Sequence, residues 1–396
     1  MPITFLHTAD WQLGKPFASV TDADKRSVLT QERVNAIGEI GAVARQAGAA
    51  FIVVAGDVFD TPTASKKWVS AACGAIGKIG LPVFAIPGNH DHGGPGCLWG
   101  QDFFLNERES LAPNFKILLS PEPVDIGEAI LLPCPLLRRH ESRDPTSWLR
   151  EIDETVSAPF GNKPRIAIAH GSVQGFESAI ESEDGHSGVA NLIDADRIPA
   201  GLADYIALGD WHGTKQITAR AWYSGTPEID RFPKGPTNEP GNVLVVSLDR
   251  GSAPEVRVER TSRLRWRSID FTFSNDSDVE ELESKIRQIT GDEVGRDLIQ
   301  LSLSGSLGIE ATSRLEAMLE TWSARFLRVK QIGGYGVAPT DDEIQALTRR
   351  AGDPLIARVA SILISELSQG GDASLAANAA LRQLHAAIKS LTPPTQ

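Results

Sequence analysis

The chain has 396 residues, which is more than one hydrophobic core usually serves, so we expect two or three domains. Its hydrophobic content of 41% and charged content of 23% are ordinary for a globular protein. The formal charge of −12 argues against a free-standing DNA-binding module. It leaves nucleic acid open as a substrate, because bound divalent cations add positive charge where a phosphate must sit.

Targeting signals are the next feature that the sequence addresses. No run approaches the roughly 18 apolar residues that a membrane span needs. The start of the chain, MPITFLHTAD, lacks a basic segment followed by a long apolar run, so a secretory signal is not predicted. Cys73, Cys97 and Cys134 are scattered singly, without the spacing typical of zinc sites or disulfide frameworks. We therefore expect a cytoplasmic protein.

Five short apolar runs occur in the first part of the chain, and each ends in a cluster of polar residues. Continuous apolar runs of this length predict strands that are buried on both faces. Helical patterns at 24–48 and 64–79 lie between some of them. Because α/β sheets place their ligands beyond the carboxyl ends of strands, the polar clusters are expected to share one site. The runs are 3–9, 51–55, 83–86, 166–169 and 205–208.

The polar residues after these runs are of the types that hold metal ions. Carboxylate oxygen and imidazole nitrogen suit Mn²⁺, Fe²⁺ or Zn²⁺. Two such ions about 3.5–4 Å apart can clamp a phosphate and activate a water molecule, provided that one carboxylate bridges them. We assign that bridge to Asp57. The predicted site residues are Asp10, Gln12, Asp57, Asn89, His170, Asp210 and His212, with His90 beside them.

The order of these motifs resembles that of the calcineurin-like metallophosphoesterase superfamily. The superfamily pattern D-x-H, G-D-x-x-D/H, G-N-H-D/E, H and G-H-x-H is met in order by ADWQ, GDVFD, GNHD, AHG and GDWH. Within it, HTADWQLGKPF, IPGNHD, ALGDWHG and the later YSGTPE are most similar to the DNA repair exonuclease branch, which includes the nuclease subunit of the SbcCD complex. The resemblance covers residues 1–230, and beyond them it rests on architecture.

The resemblance implies a fold and a distribution of roles. It implies an α/β catalytic domain over residues 1–261, a metallophosphoesterase β-sandwich flanked by helices. His90 would act on the phosphate, as a proton donor to the leaving oxygen or as a stabiliser of the transition state. The attacking group would be a hydroxide activated by two divalent ions. Asp10 and His212 would hold the first ion, Asn89, His170 and Asp210 would hold the second, and Asp57 would bridge them.

Two positions depart from the superfamily pattern. Gln12 stands where the first motif usually has histidine, and its amide oxygen is a weaker ligand. Asp210 stands where the last motif usually has its first histidine, which raises the number of carboxylates in the site to three. We therefore expect a harder site that favours Mn²⁺ and binds the first ion loosely. Fe²⁺, Zn²⁺ and Mg²⁺ are the alternatives.

The remainder of the chain is predicted to form two further parts. Residues 262–339 show a β-α-β-α-β order, which indicates a small α+β domain, and the resemblance implies that it caps the active site. Residues 340–396 form a C-terminal helical segment that is expected to bind a partner or to pack on its own domain. Thr340 and Glu343 have the spacing of a capping box at its start.

The function predicted from these features is that of a DNA exonuclease or endonuclease subunit in DNA repair. The resemblance implies DNA as the substrate and an SMC-like ATPase of the SbcC type as a partner, and it is also compatible with a homodimer. Two alternatives stay open. The first is a phosphodiesterase or phosphatase that acts on nucleotides or small phosphate esters, and the second is a catalytically weak metal-binding scaffold.

Overall fold

The chain divides into two compact units, residues 1–264 and 265–396. The computed structural model describes residues 2–152, 157–174, 190–199, 201–232, 239–291, 295–337, 340–349 and 353–367, with a few positions between 374 and 384. Within these residues no helix combines the length and the apolar character that crossing a membrane requires. The domain boundaries predicted at 261 and 339 stay predictions.

The first unit is built mainly from β-strands. In its described residues they are β1 (Ile3–Thr8), β2 (Ile52–Ala55), β3 (Val83–Ile86), β4 (Phe115–Ile117), β5 (Val124–Asp125), β6 (Ile130–Cys134), β7 (Arg165–His170), β8 (Ser172–Val173), β9 (Leu192–Ile193), β10 (Tyr205–Gly209), β11 (Lys215–Gln216), β12 (Ala221–Tyr223), β13 (Asn242–Leu248) and β14 (Glu255–Arg260). The five predicted buried strands are confirmed as β1, β2, β3, β7 and β10.

Twelve of these strands form two six-stranded sheets, and β8 and β9 form a separate parallel pair. The first has the order β14-β13-β1-β2-β3-β4, in which β1 to β4 are parallel and β13 and β14 are antiparallel. The second has the order β11-β12-β10-β7-β6-β5, with a parallel centre and an antiparallel strand at each edge. Parallel neighbours bring their carboxyl ends to the same edge, which is where the predicted ligands follow.

In the described residues, three α-helices accompany the first sheet, namely α1 (Ala23–Gln46), α2 (Lys66–Gly77) and α3 (Asp102–Leu111). Helix α1 begins after Asp22, whose carboxylate accepts hydrogen bonds from the N–H groups of Asp24 and Lys25. Such a cap satisfies N–H groups that lack a partner inside the helix. The predicted helices at 24–48 and 64–79 are confirmed as α1 and α2.

Alternate residues of the central strands serve two separate cores. Phe5 and Val53 of the first sheet pack with Ile168 of the second sheet, in a core between the two sheets. Leu6 and Val54, one residue further along their strands, pack in the core that the helices cover. Side chains alternate between the faces of a strand, so both faces of these strands are buried. This explains why the strands read as continuous apolar runs.

The second unit has the predicted order of elements. Its described elements are β15 (Arg265–Phe273), α4 (Asp278–Thr290), β16 (Asp297–Leu307), α5 (Ile309–Arg325), β17 (Arg328–Gly333), β18 (Gly336–Val337), α6 (Asp341–Thr348) and α7 (Pro354–Leu367). Strands β15, β16 and β17 form a parallel sheet, and β18 extends it beside β16. Leu282 of α4, Leu301 of β16 and Leu315 of α5 meet in its core.

The fold class predicted from the sequence is confirmed as a mixed α/β structure whose sheets are flanked by helices. The predicted capping box is also present: Glu343 N–H donates to Thr340 Oγ1, and Thr340 N–H donates to the Glu343 carboxylate. Most of the predicted helical segment after residue 367 lies outside the described residues. The capping and partner-binding roles of these parts stay predictions.

Candidate metal centre

The loops after β1 and β2 are joined to each other by backbone hydrogen bonds. Asp10 N–H donates to the carbonyl of Gly56 at 3.1 Å, and Gln12 N–H donates to the carbonyl of Asp57 at 2.8 Å. In the second sheet, His170 at the end of β7 pairs in register with Gly209 at the end of β10. The fold thus brings residues that are far apart in sequence to one edge of the sandwich.

The backbone at this edge adopts conformations that residues other than glycine rarely take. Positive φ angles occur at Asp10 (56°), Gln12 (40°), Asp57 (55°) and Asp210 (104°). These are four of the seven predicted ligands, and Asp210 lies furthest from the ordinary left-handed region. Such strain clusters at functional sites, where the surrounding structure holds a side chain in a required place.

Three glycines let these loops approach closely. A Cβ atom on Gly88 would lie 2.1 Å from Asp57 Oδ1, and one on Gly56 would lie 2.2 Å from His170 Nδ1. A Cβ atom on Gly209 would lie 1.9 Å from the carbonyl oxygen of Ala55. No side chain fits at such distances, so the glycines of the GD, GN and GD motifs are required by the packing around the site.

The centre of the site is a cluster of Asp10, Asp57 and His170. In the described part of the chain, one ligand atom from each of these residues lies within 4.8 Å of the other two, and all three residues are buried. Burial raises the pKa of the Asp10 carboxyl well above its ordinary value; His170 opposes this rise, and Asp57 and Asp210 add to it. Buried carboxylates this close together are stabilised when a cation lies among them.

His170 is oriented for ligation by its own hydrogen bond. Its Nδ1 lies 2.8 Å from the carbonyl oxygen of Ala55, which can only accept, so Nδ1 carries the proton. Its Nε2 faces Asp57 Oδ2 at 3.6 Å. Burial opposes a charge on this ring, yet the carboxylates of Asp57, Asp10 and Asp210 outweigh burial and raise the pKa of His170 to about 9. A carbonyl that fixes one ring nitrogen while the other meets carboxylates is typical of metal-binding histidines.

Asn89 and Asp210 lie at the margin of this cluster. Asn89 Oδ1 is 3.1 Å from His170 Nε2, and Asp210 Oδ1 is 3.9 Å from the same nitrogen. Asp210 N–H donates to the carboxylate of Asp10 at 3.2 Å, and Ser172 Oγ donates to Asp210 Oδ2 at 3.0 Å. The structure therefore brings Asp10, Asp57, Asn89, His170 and Asp210 together.

Gln12 and His212 have different neighbours. Gln12 Oε1 accepts a hydrogen bond from Lys15 Nζ at 2.9 Å. His212 Nδ1 lies 3.1 Å from Asp230 Oδ2 and 2.7 Å from Arg231 Nη2. The described cluster of aspartate and histidine ligands around Asp57 does not include His212, and the ligand role of Gln12 stays a prediction.

His90 is held beside the bridging candidate by two contacts. Its backbone N–H donates to Asp57 Oδ1 at 2.9 Å. Its Nδ1 lies 3.0 Å from the carbonyl oxygen of Asp60, so that nitrogen carries a proton and Nε2 is the group that can exchange one. Asp60 thus contacts His90 through its backbone.

Several residues that support the site were not predicted from the sequence. Arg33 of α1 is buried, and its guanidinium donates to the carbonyls of Asp10 (2.9 Å), Trp11 (2.7 Å) and Glu228 (3.1 Å). Thr226 Oγ1 lies 2.9 Å from the same Asp10 carbonyl. The only sequence signal was the YSGTPE segment, which contains Thr226 and Glu228; no pattern indicated that Arg33 would reach the loop after β1.

The donor set fits a divalent cation. Two buried carboxylates and an imidazole nitrogen converge, an amide oxygen lies beside them, and the bond from Nδ1 of the histidine to a carbonyl leaves Nε2 as the nitrogen for ligation. Carboxylate and imidazole ligands of this kind suit first-row divalent ions.

The chain was compared with known families and solved structures. A family model described as Calcineurin-like phosphoesterase matches residues 3–214, more than half of the chain. A solved structure described as TT1561 of Thermus thermophilus is 12% identical with a TM-score of 0.38, and the match covers 66% of this chain and 100% of that one. A second solved structure is 15% identical with a TM-score of 0.41, over 66% of this chain and 100% of the other.

At these identities and TM-scores, neither solved structure bears on activity. The family match spans every predicted ligand from Asp10 to His212, and it agrees with the buried Asp10, Asp57 and His170 cluster. The chain therefore belongs to the calcineurin-like phosphoesterases, a family of metal-dependent phosphoester hydrolases.

Proposed function

We propose that this chain is a metal-dependent phosphodiesterase that cleaves DNA, as the nuclease subunit of a repair assembly. The observation that carries the proposal is the buried cluster of Asp10, Asp57 and His170 with His90 bonded to Asp57. A cation held there would neutralise phosphate charge and make a bound water molecule more acidic. We propose Mn²⁺ as the native ion, because oxygen ligands from carboxylates predominate.

His90 is proposed as the proton donor to the leaving oxygen. The bond from Nδ1 to the Asp60 carbonyl fixes the ring, and Nε2 can carry a second proton when the imidazole is charged. A positioned donor of this type contributes about 10²–10⁴-fold to a rate. Because its backbone N–H bonds to Asp57, the ring keeps a constant place relative to the proposed cation.

The choice of DNA is supported by a pair of exposed arginines near the site. Arg138 and Arg139 follow β6 and are exposed. Leu136, two residues before Arg138, bonds to residues on both sides of the GNHD motif: Gly93 N–H donates to the carbonyl of Leu136 at 2.8 Å, and Leu136 N–H donates to that of Pro87. Guanidinium groups in such a place suit the phosphates of a nucleic acid backbone.

A partner surface is proposed on α7. Leu355 is 75% exposed and Ile362 is 52% exposed, and Val359 lies between them along the helix with 38% exposure. Apolar residues at this spacing suit a docked partner helix. An SMC-like ATPase is our proposed partner, and it would supply the basic surface that a chain of charge −12 lacks.

The acidic charge also favours a second candidate, a phosphodiesterase for small esters. Several arginines that could have formed a basic face are paired with carboxylates instead. Arg265 and Arg267 both bond to the buried Asp297, and Arg263 lies 3.6 Å from Glu32. A small ester needs no extended basic surface, because the cation itself recognises the phosphate.

The two candidates are separated by measuring rates with Mn²⁺ on linear double-stranded DNA, on single-stranded DNA and on bis-p-nitrophenyl phosphate. Metal-dependent DNA cleavage, weakened when Arg138 and Arg139 are both replaced by Ala, supports the nuclease. Turnover of the small ester with intact DNA, also in the presence of the ATPase, supports the second candidate. The His90→Ala variant serves as control, because activity that it leaves unchanged comes from a contaminant.

A further inference from the structure

The turn after β1 places a lysine ammonium group beside the candidate metal centre. Gln12 and Gly14 have φ angles of 40° and 90°, and Lys15 N–H donates to the carbonyl of Gln12 at 3.2 Å. The chain therefore folds back, and Lys15 Nζ comes to lie 2.9 Å from Gln12 Oε1. The Lys15 side chain is only 14% exposed, so the ammonium belongs to the interior of the site.

The same ammonium group is paired with a buried carboxylate. Lys15 Nζ lies 2.9 Å from Asp230 Oδ2, and the side chain of Asp230 is fully buried. Arg231 donates to both oxygens of Asp230, from Nε to Oδ1 and from Nη2 to Oδ2, each at 3.2 Å. Two cationic groups thus contact one carboxylate, and Lys15 also contacts Gln12 while Arg231 also contacts His212.

His212 faces the guanidinium group of this arrangement. A guanidinium N–H can only donate, so the 2.7 Å contact from Arg231 Nη2 to His212 Nδ1 requires a lone pair on Nδ1. Whatever the tautomer, this contact places a cationic group directly at the ring of His212. Asp230 Oδ2, 3.1 Å from the same Nδ1, would need the opposite tautomer. The shorter contact is the one to Arg231.

The resemblance assigns His212 to the first ion together with Asp10, and Gln12 stands in the motif position that usually carries a histidine. Gln12 Oε1 is engaged by an ammonium group, and His212 Nδ1 is contacted by a guanidinium group. A divalent cation bound to these side chains would lie within a few ångströms of both positive charges and would be repelled by them. Among the contacts described above, no cationic side chain bonds to the ligand atoms of Asp10, Asp57 and His170, because Arg33 bonds to the backbone carbonyl of Asp10 and not to its carboxylate.

We propose that the Lys15 ammonium group replaces the first divalent cation, so that the chain binds one ion rather than two. The ion is held by Asp10, Asp57 and His170, with Asn89 and Asp210 beside them. Lys15 supplies the positive charge at the other side of the site. The inference rests on the metal-dependent activity proposed above, and it replaces the expected two ions with one.

The test is the number of Mn²⁺ ions per folded chain, measured by elemental analysis and native mass spectrometry after saturation and removal of free metal. We expect about one ion in the natural chain and about two in the variant that combines Lys15→Ala with Gln12→His. Lys163→Ala is the matched control, because Lys163 pairs with Asp125 on the surface, and it should leave one ion. Electron paramagnetic resonance adds a second readout, since two ions that share Asp57 would be exchange-coupled.

Two ions in the natural chain, or one ion in the folded double variant, would overturn the proposal. If the double variant does not fold, Lys15→Met keeps the aliphatic stem and removes only the charge. Titration of that variant with Mn²⁺ should then show a second ion that binds at least about tenfold more tightly than to the natural chain, and an unchanged titration would overturn the proposal. DNA cleavage is measured separately. If the natural chain binds two ions and cleaves DNA, only the one-ion proposal is wrong. If it binds one ion and does not cleave DNA, only the nuclease proposal is wrong.

Discussion

At the scale of single residues, the contact of His90 with Asp57 does not involve the His90 side chain. Its backbone N–H bonds to Asp57 and its Nδ1 to the carbonyl of Asp60, so the side-chain Nε2 can be altered without breaking the first contact. We expect His90→Gln to lower turnover by about 10²–10⁴-fold, because glutamine keeps a polar group there but cannot donate a proton as an acid. The measurement is kcat with Mn²⁺, together with metal content.

The metal content of the His90→Gln variant should equal that of the natural chain. A variant that loses its metal along with its activity would show that His90 supports the ligands rather than the reaction.

His7 is a second residue with a measurable consequence. Its Nδ1 lies 3.0 Å from the hydroxyl of Tyr205 and its Nε2 lies 3.2 Å from the carbonyl of Leu208, within the core between the sheets. Burial lowers the pKa of His7 to about 3, although the bond to Leu208 opposes the change. The neutral ring therefore stabilises the fold above its ordinary pKa of about 6.5, and that contribution is lost as the pH falls from there towards 3.

We expect His7→Gln to make the free energy of unfolding less dependent on pH in acid. Glutamine can accept from Tyr205 and donate to Leu208 but does not titrate, so the free energy of unfolding should fall less steeply below pH 6.5, by up to about 1.4 kcal/mol per pH unit. Urea unfolding of both proteins across this range is the measurement. Parallel curves for the two proteins would contradict the prediction.

At the scale of elements, helix α1 is tied to the site through Arg33. The guanidinium group bonds to the carbonyls of Asp10 and Trp11 in the loop after β1 and to Glu228 in the segment after β12. We expect Arg33→Met to lower Mn²⁺ affinity by about 10–100-fold, the range for partners that orient ligands, because the loop that carries Asp10 loses its support. The affinity is measured by calorimetric titration of the folded variant.

The matched control for Arg33 lies on the same helix. Arg45 of α1 donates to the carbonyl of Ile79, which is not part of the site, so Arg45→Met should leave Mn²⁺ affinity unchanged. Equal losses in the two variants would mean that the helix as a whole, and not the Arg33 contact, sets the affinity.

The strands and helices were predicted from the sequence better than the contacts between distant residues were. Strands β1, β2, β3, β7 and β10 were found because burial on both faces gives continuous apolar runs. The short edge strands were missed, because two or three residues carry no periodic signal. The pairing of Lys15 with Asp230 was also invisible, because two surface-type residues 215 positions apart leave no pattern that local reasoning can detect.

At the scale of the whole molecule, metal binding should be visible as added stability. An ion that binds the folded chain and not the unfolded one raises the free energy of unfolding by about 2.7 kcal/mol at a concentration 100 times its Kd. For a unit of this size the melting temperature should rise by about 5–10 °C on saturation with Mn²⁺. Scanning calorimetry with and without the ion is the measurement.

Asp57→Asn provides the control for that experiment. The amide keeps the size of the side chain but removes the carboxylate at the centre of the cluster, so Mn²⁺ should no longer raise the melting temperature. An undiminished rise in the Asp57→Asn variant would place the ion elsewhere in the molecule.

The positive φ angles of Asp10, Asp57 and Asp210 place the ligands in the site but lower the stability of the metal-free protein. Glycine or asparagine tolerates these conformations better than aspartate does, so a screen for heat resistance without metal would tend to select those replacements. The selected proteins would be more heat-resistant but would lack metal-dependent activity. Selection for heat resistance should therefore be carried out in saturating Mn²⁺. Under that condition, the stability lost with a metal ligand exceeds the stability gained by relieving the backbone strain.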